Sequence, residues 1–338
     1  MRSQLQILRA RATLHEAIHS FFRQRDFLSI DAPIAVTSPG TEVHLGYFST
    51  TWVDHQAKSH PLFLRSSPEL HLKQALSWNL DRIYHLGKCF RNRGELSPWH
   101  HPEFTLLEWY QTGISLPHFM SQTEELVRYA AETLAAASAE VMPLPAQFQR
   151  LSVFEAFEQW AKISLVDGDP DLAAQGRAQG YISLQPTDSF ETAYFKILLD
   201  VIEPRLKAEK AIFLYDYPAS QCALARIEGG RAQRFELYLE GVELCNAFDE
   251  LLGSAENRQR IKKSNEERRA LNYPFVPEDE DFFRALDRGL KPCCGNALGF
   301  DRLLALLLGE KSIHRVVPFR ENRPFAGSQS LGGPSIQG

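Results

Sequence analysis

Two strand-like segments separated by a polar loop constrain the fold of this chain more than any other feature. Residues 83–91 and 101–110 are rich in aromatic and aliphatic side chains, and residues 92–100 between them are polar. This pattern predicts an antiparallel hairpin whose long loop begins after Arg91 and ends at His100. Strands joined by hairpins and mixed irregularly with helices favour an α+β fold with a mixed, mostly antiparallel sheet flanked by helices.

The other elements follow from apolar periodicity and fit into one large domain over residues 1–322. Predicted helices cover residues 4–26, 118–138, 254–271 and 300–308, and a mostly helical insertion covers about 150–209. Further strands are predicted at 61–66, 211–215, 234–239 and 242–248. The Gly/Ser/Pro/Gln-rich end at 323–338 is expected to be disordered.

Composition argues against a general nucleic-acid-binding protein, a membrane-spanning protein and a secreted protein. The 338 residues carry a net charge of −5, which gives no overall attraction to nucleic acid because phosphate contacts dominate that affinity. The chain has no apolar run long enough to span a membrane, and its N-terminus does not read as a signal peptide. The five cysteines show no zinc-ligand spacing, which favours reduced thiols in a cytoplasmic protein.

Residues at both ends of the loop indicate a nucleotide site, although neither a P-loop nor a Gly-rich dinucleotide loop occurs. Arg91 and His100 can converge on a triphosphate, and the arginine fork binds phosphate oxygens in pairs. Phe104 is placed to stack on a purine. Arg302 begins the last helix, whose positive end attracts anions. Each residue alone more often packs or is solvated, but the set favours ATP binding.

Period-two alternation adds polar groups beside the predicted purine site. Phe104, Leu106, Glu108 and Tyr110 share one face of their strand, so that a carboxylate and a phenol point at the expected ligand. Ser67, Pro68 and Glu69 have the residue types that cap and begin a helix. A glutamate in a first helical turn is favoured by the helix dipole regardless of function, so Glu69 proves little by itself.

A second hairpin carries two more carboxylates. If residues 240–241 form a two-residue turn, Tyr238 faces Glu243, and Glu236 lies diagonal to Glu243 on the same face. Carboxylates so placed can share Mg²⁺, which prefers oxygen ligands; the alternative is a pair of exposed strand carboxylates. Simple alternation sends Asn246 and Glu250 to the opposite face of the hairpin, unless a bulge intervenes.

Together these residues resemble the catalytic core of class II aminoacyl-tRNA synthetases, in particular lysyl-tRNA synthetase. The helix and strand around Pro33 look like motif 1, which builds the dimer in that class. Phe90–Phe104 looks like motif 2, and Gly295–Arg302 looks like motif 3. The lysine-type signatures are Ser67–Leu70, Glu108–Tyr110 and Glu243–Leu251. The resemblance covers about residues 5–320.

Two features narrow the resemblance to the elongation factor P–(R)-β-lysine ligase family. Motif 1 lies at the start of the chain, so an N-terminal anticodon-binding OB domain is not expected, and neither is tRNA as a substrate. Motif 3 carries Ala297 where lysyl-tRNA synthetases have Gly, and residues 217–221 read Tyr-Pro-Ala-Ser-Gln. The methyl group that Ala297 adds at the pocket floor is expected to favour β-lysine, whose amino group is moved by one carbon, over α-lysine. The expected difference in binding free energy is roughly 1–3 kcal/mol.

The resemblance implies an ATP-dependent ligase that uses Mg²⁺, activates (R)-β-lysine as an aminoacyl-adenylate and transfers it to a lysine side chain of elongation factor P. It also implies a cytoplasmic homodimer joined through motif 1. No membrane partner is expected.

The resemblance also implies roles for individual residues in binding ATP, the amino acid and Mg²⁺. Arg91 and Arg302 are the catalytic residues, on the α- and γ-phosphates, and Phe104 binds the adenine. The full implied ATP set is Arg91, Asn92, Arg93, His100, Phe104, Glu243, Leu244, Gly299 and Arg302. The implied set for lysine or β-lysine is Ser67, Glu69, Glu108, Tyr110, Asn246, Glu250 and Ala297, of which Glu69, Tyr110 and Glu250 hold the ammonium groups. The implied Mg²⁺ ligands are Glu236 and Glu243.

Some positions depart from the family pattern. Arg93 stands where an acidic residue usually contacts the adenine edge, a role that Glu95 could take. His101 replaces the usual Asn, and Ala247 replaces the usual Gly. Two alternatives stay open: a paralogue that activates α-lysine and loads another acceptor, and a non-catalytic regulatory paralogue, which the changes at Arg93 and Ala247 favour.

Overall fold

The computed structural model describes residues 2–137 and 139–319. Its strands are β1 Leu28–Ser29, β2 Ala35–Val36, β3 Phe48–Val53, β4 Ser59–Leu64, β5 Arg82–Phe90, β6 Glu103–Thr112, β7 Gln149–Ser152, β8 Ala211–Pro218, β9 Ile227–Glu228, β10 Arg231–Leu239, β11 Val242–Asp249 and β12 Cys293–Gly299. Its α-helices are α1 Gln4–Arg23, α2 Glu69–Leu76, α3 Leu116–Ala136, α4 Val153–Ala156, α5 Leu172–Ala178, α6 Phe190–Ile197, α7 Glu203–Leu206, α8 Ser254–Ala270, α9 Glu280–Asp287 and α10 Phe300–Leu307. Two π-helical turns are Phe157–Ala161 and Leu198–Ile202, and two 3₁₀ turns are Ala219–Gln221 and Ile313–Arg315.

A nine-stranded sheet organises the molecule. Its order is β1-β5-β6-β12-β11-β10-β8-β7, with β9 paired to the edge of β10. The β1–β5 and β7–β8 pairs are parallel, and the other pairs of this sheet are antiparallel. A second sheet of three strands has the order β2-β4-β3. The predicted α+β fold with a mixed, mostly antiparallel sheet is therefore confirmed.

Helices α1, α3 and α10 cover one face of the large sheet. Ser3 caps α1 by accepting from the backbone of Gln6, whose side chain accepts from the Ser3 N–H in return. The apolar stripe of α1 then packs with α3, α10 and inward-facing strand residues such as Trp109 in one buried cluster. Because this face is filled, the functional side chains that alternate with the core residues project from the other face.

The segment predicted as a mostly helical insertion begins with a strand. Gln149–Ser152 forms β7 and extends the sheet beside β8. Helices α4 to α7 follow and bury their own apolar cluster against residues of β8 and β10. Four residues with a single apolar side chain give too short a pattern for periodicity to separate a strand from a loop.

Most predicted bounds agree with the structure within a few residues. The sequence analysis did not predict β3, β9, β12 or α9. Strand β12 reads Cys-Cys-Gly-Asn-Ala-Leu-Gly, and two glycines weaken its strand propensity. The tail at 323–338 lies outside the described residues. Within the described part of the chain, no helix combines the length and the apolar character needed to cross a membrane.

Candidate active site

A large cleft lies on the sheet face opposite the main core. Its volume is about 870 Å³, within the usual range for ligand sites of about 300–1,000 Å³. Residues of β6, β11 and β12 form its floor, and the loop at 91–102 and the segment at 41–45 contribute walls. The three floor strands are direct neighbours in the sheet, so their cleft-facing side chains form one surface.

The cleft brings together nearly all the residues selected from the sequence. Every candidate borders it except Glu236. The candidates that border it are Ser67, Glu69, Arg91, Asn92, Arg93, His100, Phe104, Glu108, Tyr110, Glu243, Leu244, Asn246, Glu250, Ala297, Gly299 and Arg302.

Strand β6 follows the predicted alternation. Phe104, Leu106, Glu108 and Tyr110 line the cleft. Leu107 and Trp109 point the other way and are fully buried in the main core. Regular pleating over this strand therefore fixes both the aromatic and the acidic positions.

Strand β11 contains the bulge that the sequence analysis required for Asn246 and Glu250 to join the site. The register pairs Tyr238 with Glu243, as predicted, but pairs Glu236 with Asn246, so Leu244 is an extra residue opposite the β10 strand. This β-bulge returns Asn246 to the face of Glu243, and Glu250 follows on the same face and borders the cleft. No glycine or proline marks the bulge in the sequence, so simple alternation gave the wrong face.

Arg302 is fixed at one end of the cleft by the protein backbone. Its guanidinium donates to the carbonyl of Glu243 at 2.8 Å and to the carbonyl of Trp99 at 3.3 Å. Its Nη2 donates to Nε2 of His100 at 2.9 Å. Burial, followed by the charge of Arg302, lowers the pKa of His100, which keeps its ring neutral and able to accept. Arg302 and His100, 202 residues apart in the sequence, thus form one corner of the cleft that is suited to a phosphate group.

Asp301 positions this corner, and the sequence analysis did not single it out. Its carboxylate accepts from Arg11 at 2.6 Å and from the backbone N–H of Thr105 at 2.7 Å. The first turn of α10 is thereby tied to both α1 and β6. Arg302, the next residue, cannot move independently of the strand that carries Phe104.

Arg91 and Phe104 lie together at the same end. The Arg91 guanidinium carbon is 5.2 Å from the centroid of the Phe104 ring. Nε of Arg91 is buried and finds no hydrogen-bond partner within residues 2–137 and 139–319. Buried polar atoms are normally satisfied, so this donor points to a ligand with acceptor oxygens.

The positions that depart from the family pattern have different surroundings. Arg93 borders the cleft, and its guanidinium carbon lies 5.6 Å from the ring centroid of Tyr273. Glu95 also borders the cleft, with a carboxylate oxygen 3.7 Å from Nδ1 of His100. Ala247 instead faces the main core and is fully buried. The change at Ala247 therefore concerns packing beneath the sheet.

The other end of the cleft is acidic. Ser67 and Tyr110 each donate to Glu108 at 2.7 Å, through opposite oxygens of the carboxyl group. The Ser67 hydroxyl also accepts from the N–H of Glu69 at 2.9 Å. The predicted helix start is shifted by one residue, since Pro68 is the N-cap and Glu69 begins α2.

A buried ammonium group behind this acidic end was missed in the sequence. Nζ of Lys73 lies 2.7 Å from a carboxylate oxygen of Glu69 and 2.5 Å from one of Glu250. The i,i+4 spacing of Glu69 and Lys73 is a recognisable helix pair. Its link to Glu250 depends on the tertiary fold and has no local signal.

The buried carboxyl groups have raised pKa values. Burial, and then the charge of Glu69, raise the pKa of Glu108 to about 8. Burial also raises the pKa of Glu250, to about 7, against the opposing effect of Lys73. Such an arrangement attracts positively charged ligand groups, because each ammonium group that enters stabilises the ionised carboxylates.

The carboxylates of Glu236 and Glu243, the implied Mg²⁺ ligands, interact electrostatically. Burial and the nearby charge of Glu236 raise the pKa of Glu243, a repulsion that a cation would relieve. Glu236 already accepts from Arg234 and from Tyr238, the latter at 2.6 Å. No cluster of three or more His, Cys, Asp or Glu in the described ranges forms a metal site by itself, so substrate oxygens would have to complete the coordination.

Strand β12 contributes small residues to the floor between these side chains. Ala297 is paired with Glu108 of β6 and with Asn246 of β11, so its methyl group lies between them. Gly295 has no room for a side chain: a Cβ there would lie 2.3 Å from an oxygen of Glu250 and 2.3 Å from a ring carbon of Tyr110.

Comparison with known proteins agrees with this geometry. The family model described as tRNA synthetases class II (D, K and N) matches residues 1–323. A protein of Hamiltonella defensa is 36% identical over 319 residues, covering 93% of this chain and 94% of its own length. A Vibrio cholerae protein is 35% identical over 320 residues, with 92% and 94% covered. Both are named elongation factor P–(R)-β-lysine ligase.

Replacing Gly295 with alanine should destabilise the protein by about 1–3 kcal/mol, the usual cost of overpacking a buried site. The new methyl group would displace Glu250 and Tyr110, both of which are buried. Urea unfolding would measure the loss. Gly253→Ala is the control, because its Cβ would meet its nearest atom only at 3.9 Å. Equal stability of the two variants would contradict the close packing described here.

Proposed function

Because this chain belongs to the class II family of tRNA synthetases (D, K and N), we propose that it is an ATP-dependent ligase for (R)-β-lysine and elongation factor P. One observation carries the proposal: a single cleft has a cationic end at Arg91 and Arg302 and an acidic end at Glu69, Glu108 and Glu250. A nucleotide triphosphate suits the first end, and a diamino acid suits the second. The names of the relatives specify (R)-β-lysine and elongation factor P.

The cationic end would bind ATP in a bent form. Arg91 would hold the α-phosphate, since its buried Nε lacks a partner among the described residues and lies beside Phe104. Arg302 would hold the γ-phosphate, together with His100. Phe104 would stack on the adenine. Asn92, Arg93, Leu244 and Gly299 complete the proposed ATP contacts.

The acidic end would bind the two ammonium groups of the amino acid. Glu69, Glu250 and the Tyr110 hydroxyl would contact them, while Ser67 and Glu108 hold these groups in place. Asn246 is suited to the carboxylate end, since its side-chain amide faces the cleft beside Glu243. Ala297 would lie under the carbon chain and favour an amino group on the β-carbon.

The reaction would proceed in two balanced steps. A carboxylate oxygen of β-lysine forms a bond to the α-phosphorus of ATP, and the bond to pyrophosphate breaks. The lysine amine of the acceptor then attacks the carbonyl carbon, an amide forms, AMP leaves, and the amine gives up a proton. Positioning and neutralisation of phosphate charge supply most of the catalysis in such reactions.

Mg²⁺ would supply further neutralisation of phosphate charge. Glu243 and Glu236 would hold it on the protein side, Glu243 from the cleft floor and Glu236 from the adjacent strand. Arg234 borders the cleft, donates to Glu236 and also donates to the carbonyl of Gln221 at 3.0 Å. The signature segment at 217–221 is thereby linked to the proposed metal pair.

Partners and location follow from the same proposal. The acceptor would be a lysine side chain of elongation factor P in the cytoplasm, with tRNA not used.

We further propose a homodimer through the motif 1 region, where the large apolar residues Leu28 and Ile34 are exposed. Sedimentation equilibrium should give twice the chain mass; a monomer at micromolar concentration would contradict the dimer.

Replacing Arg302 with alanine should reduce amino-acid-dependent ATP–pyrophosphate exchange by about 10²-fold or more, the usual effect of removing one transition-state charge contact. Exchange would be measured with (R)-β-lysine, with L-lysine and without amino acid. Arg302→Lys should recover only part of the rate, because it keeps the charge and loses the fork. Arg258→Ala, which removes an exposed ion pair, is the control. Full activity in Arg302→Ala would sink the proposal.

Replacing Ala297 with glycine should increase exchange with L-lysine relative to (R)-β-lysine by about 10-fold, within the range for one methyl-sized change. The reason is the position of Ala297 between Glu108 and Asn246, where its methyl limits the space near the amino groups. Exchange with L-lysine alone in the unmodified protein would instead favour the α-lysine paralogue. No exchange with either amino acid would favour the regulatory one.

A further inference from the structure

Lys73 is a buried ammonium group that lies directly behind the acidic end of the cleft. Its side chain has 0% exposure, and both of its ion-pair partners, Glu69 and Glu250, border the cleft. Lys73 itself is not a cleft-lining residue. A charged group is fully buried only at a high cost unless it is paired. Here the pairing uses the same two carboxylates that the proposed function assigns to the substrate.

The charges at this end of the cleft can be counted. Glu69, Glu108 and Glu250 supply three negative charges when all are ionised, and Lys73 supplies one positive charge. The difference is two negative charges. A diamino acid brings two ammonium groups, so its entry makes this end neutral, whereas an amino acid with one ammonium group leaves a buried charge without compensation.

The geometry of the pair also fixes where the carboxylates point. Lys73 engages Oε1 of Glu69 and Oε2 of Glu250 from the protein side. The other oxygen of Glu250 lies close to Gly295 and Tyr110, where no Cβ would fit. The two carboxylates come from α2 and from the end of β11, and Lys73 holds them against each other despite their like charge.

We propose that Lys73 is a positioning residue that presents Glu69 and Glu250 to the substrate and matches the acidic end to two ammonium groups. This inference rests on the proposed function, since it takes a diamino acid as the substrate. Lys73 touches no reacting atom. By neutralising one carboxylate, Lys73 sets the number of negative charges that remain to pair with the substrate, and thereby the substrate charge that the site accepts.

The other elements packed around the pair determine how its ionisation behaves. β6 contributes Glu108 and Tyr110, β11 contributes Asp249, and β12 contributes Cys293, each electrostatically coupled to this cluster. β5 and α9 pack apolar side chains around α2, such as Ile83 and Phe283. Lys73 is therefore the cation that faces these carboxyl groups, and its charge lowers the pKa of Glu250.

Lys73→Met tests the inference, because methionine keeps most of the length of the side chain and removes the charge. Binding of (R)-β-lysine and of L-lysine would be followed by calorimetry between pH 6.5 and 9, and KM for each substrate by pyrophosphate exchange. At pH 7 we expect the Kd for the diamino acid to rise by about 30-fold or more, as when one partner of a buried charge pair is lost. The KM for ATP should change little.

The pH profile separates a charge effect from a general loss of structure. Without Lys73, Glu69 and Glu250 repel each other, and the pKa of Glu250, which Lys73 lowers, rises further. The pH at which binding becomes tightest should therefore move upward by about one unit. A purely structural defect would weaken ATP binding as well and would leave the profile unshifted. Lys196→Met, which removes an ion-paired lysine of α6, is the matched control.

A second variant covers the case in which Lys73→Met does not fold. The double variant Lys73→Met/Glu250→Gln removes the unpaired carboxylate together with the lysine, so it should be more stable than Lys73→Met alone. It keeps the count of two negative charges, so the weak binding of the diamino acid that we expect would report the lost Glu250 contact and not the charge count. A double variant that is no more stable than Lys73→Met would overturn the pairing, and one that binds normally would overturn the role in recognition.

The outcomes distinguish this inference from the function on which it rests. If the unmodified protein neither binds nor activates a diamino acid, the proposed function fails and the inference fails with it. If the unmodified protein does so and folded Lys73→Met keeps the same KM and pH profile, only the inference fails. A higher KM for the amino acid with a shifted profile supports both.

Discussion

The cleft depends on a central strand that carries almost no side-chain volume on one face. Gly295, Ala297 and Gly299 of β12 all border the cleft, while Leu298 points into the main core. β6 and β11 flank this strand. Their polar side chains can therefore lean over β12 from both sides and meet above it. Larger residues in these positions would fill the space that a substrate needs, as the contacts of a Cβ at Gly295 demonstrate.

Electrostatics divides the resulting surface into two ends. Backbone carbonyls and Asp301 hold Arg302 at the cationic end. None of these contacts places a carboxylate directly on the Arg302 guanidinium, so they leave its charge unneutralised. The acidic end concentrates carboxyl groups in a buried setting, where mutual repulsion is strong because little water screens it. Lys73 offsets part of that repulsion. A substrate with phosphates at one end and ammonium groups at the other would complete both sets.

Sequence reasoning succeeded where the local geometry is regular. β6 has no bulge, so alternation alone placed Phe104, Glu108 and Tyr110 correctly on the cleft side. The hairpin turn at 240–241 was also correct, since both residues adopt the positive φ that a tight turn of this kind needs. The α+β class followed from the same hairpins.

The remaining parts of the site depend on contacts that a local pattern does not contain. The bulge at Leu244 has no marker residue, so alternation alone could not place Asn246 and Glu250 on the cleft face. Lys73 reads as an ordinary helix lysine until the end of β11 is brought against it. Arg11 lies in the first helix, yet it supports a residue near the end of the described chain. Tertiary partners of this type are invisible to periodicity.

The cysteines bear on the route of the proposed transfer. Of the described cysteines, Cys245 is the one that borders the cleft, and burial raises the pKa of its thiol to about 12. At neutral pH this thiol stays protonated, and the thiol form is a poor nucleophile. An acyl group carried on Cys245 between activation and transfer is therefore disfavoured. The acceptor amine would have to attack the adenylate directly, so the cleft must admit a lysine side chain while the adenylate is still bound.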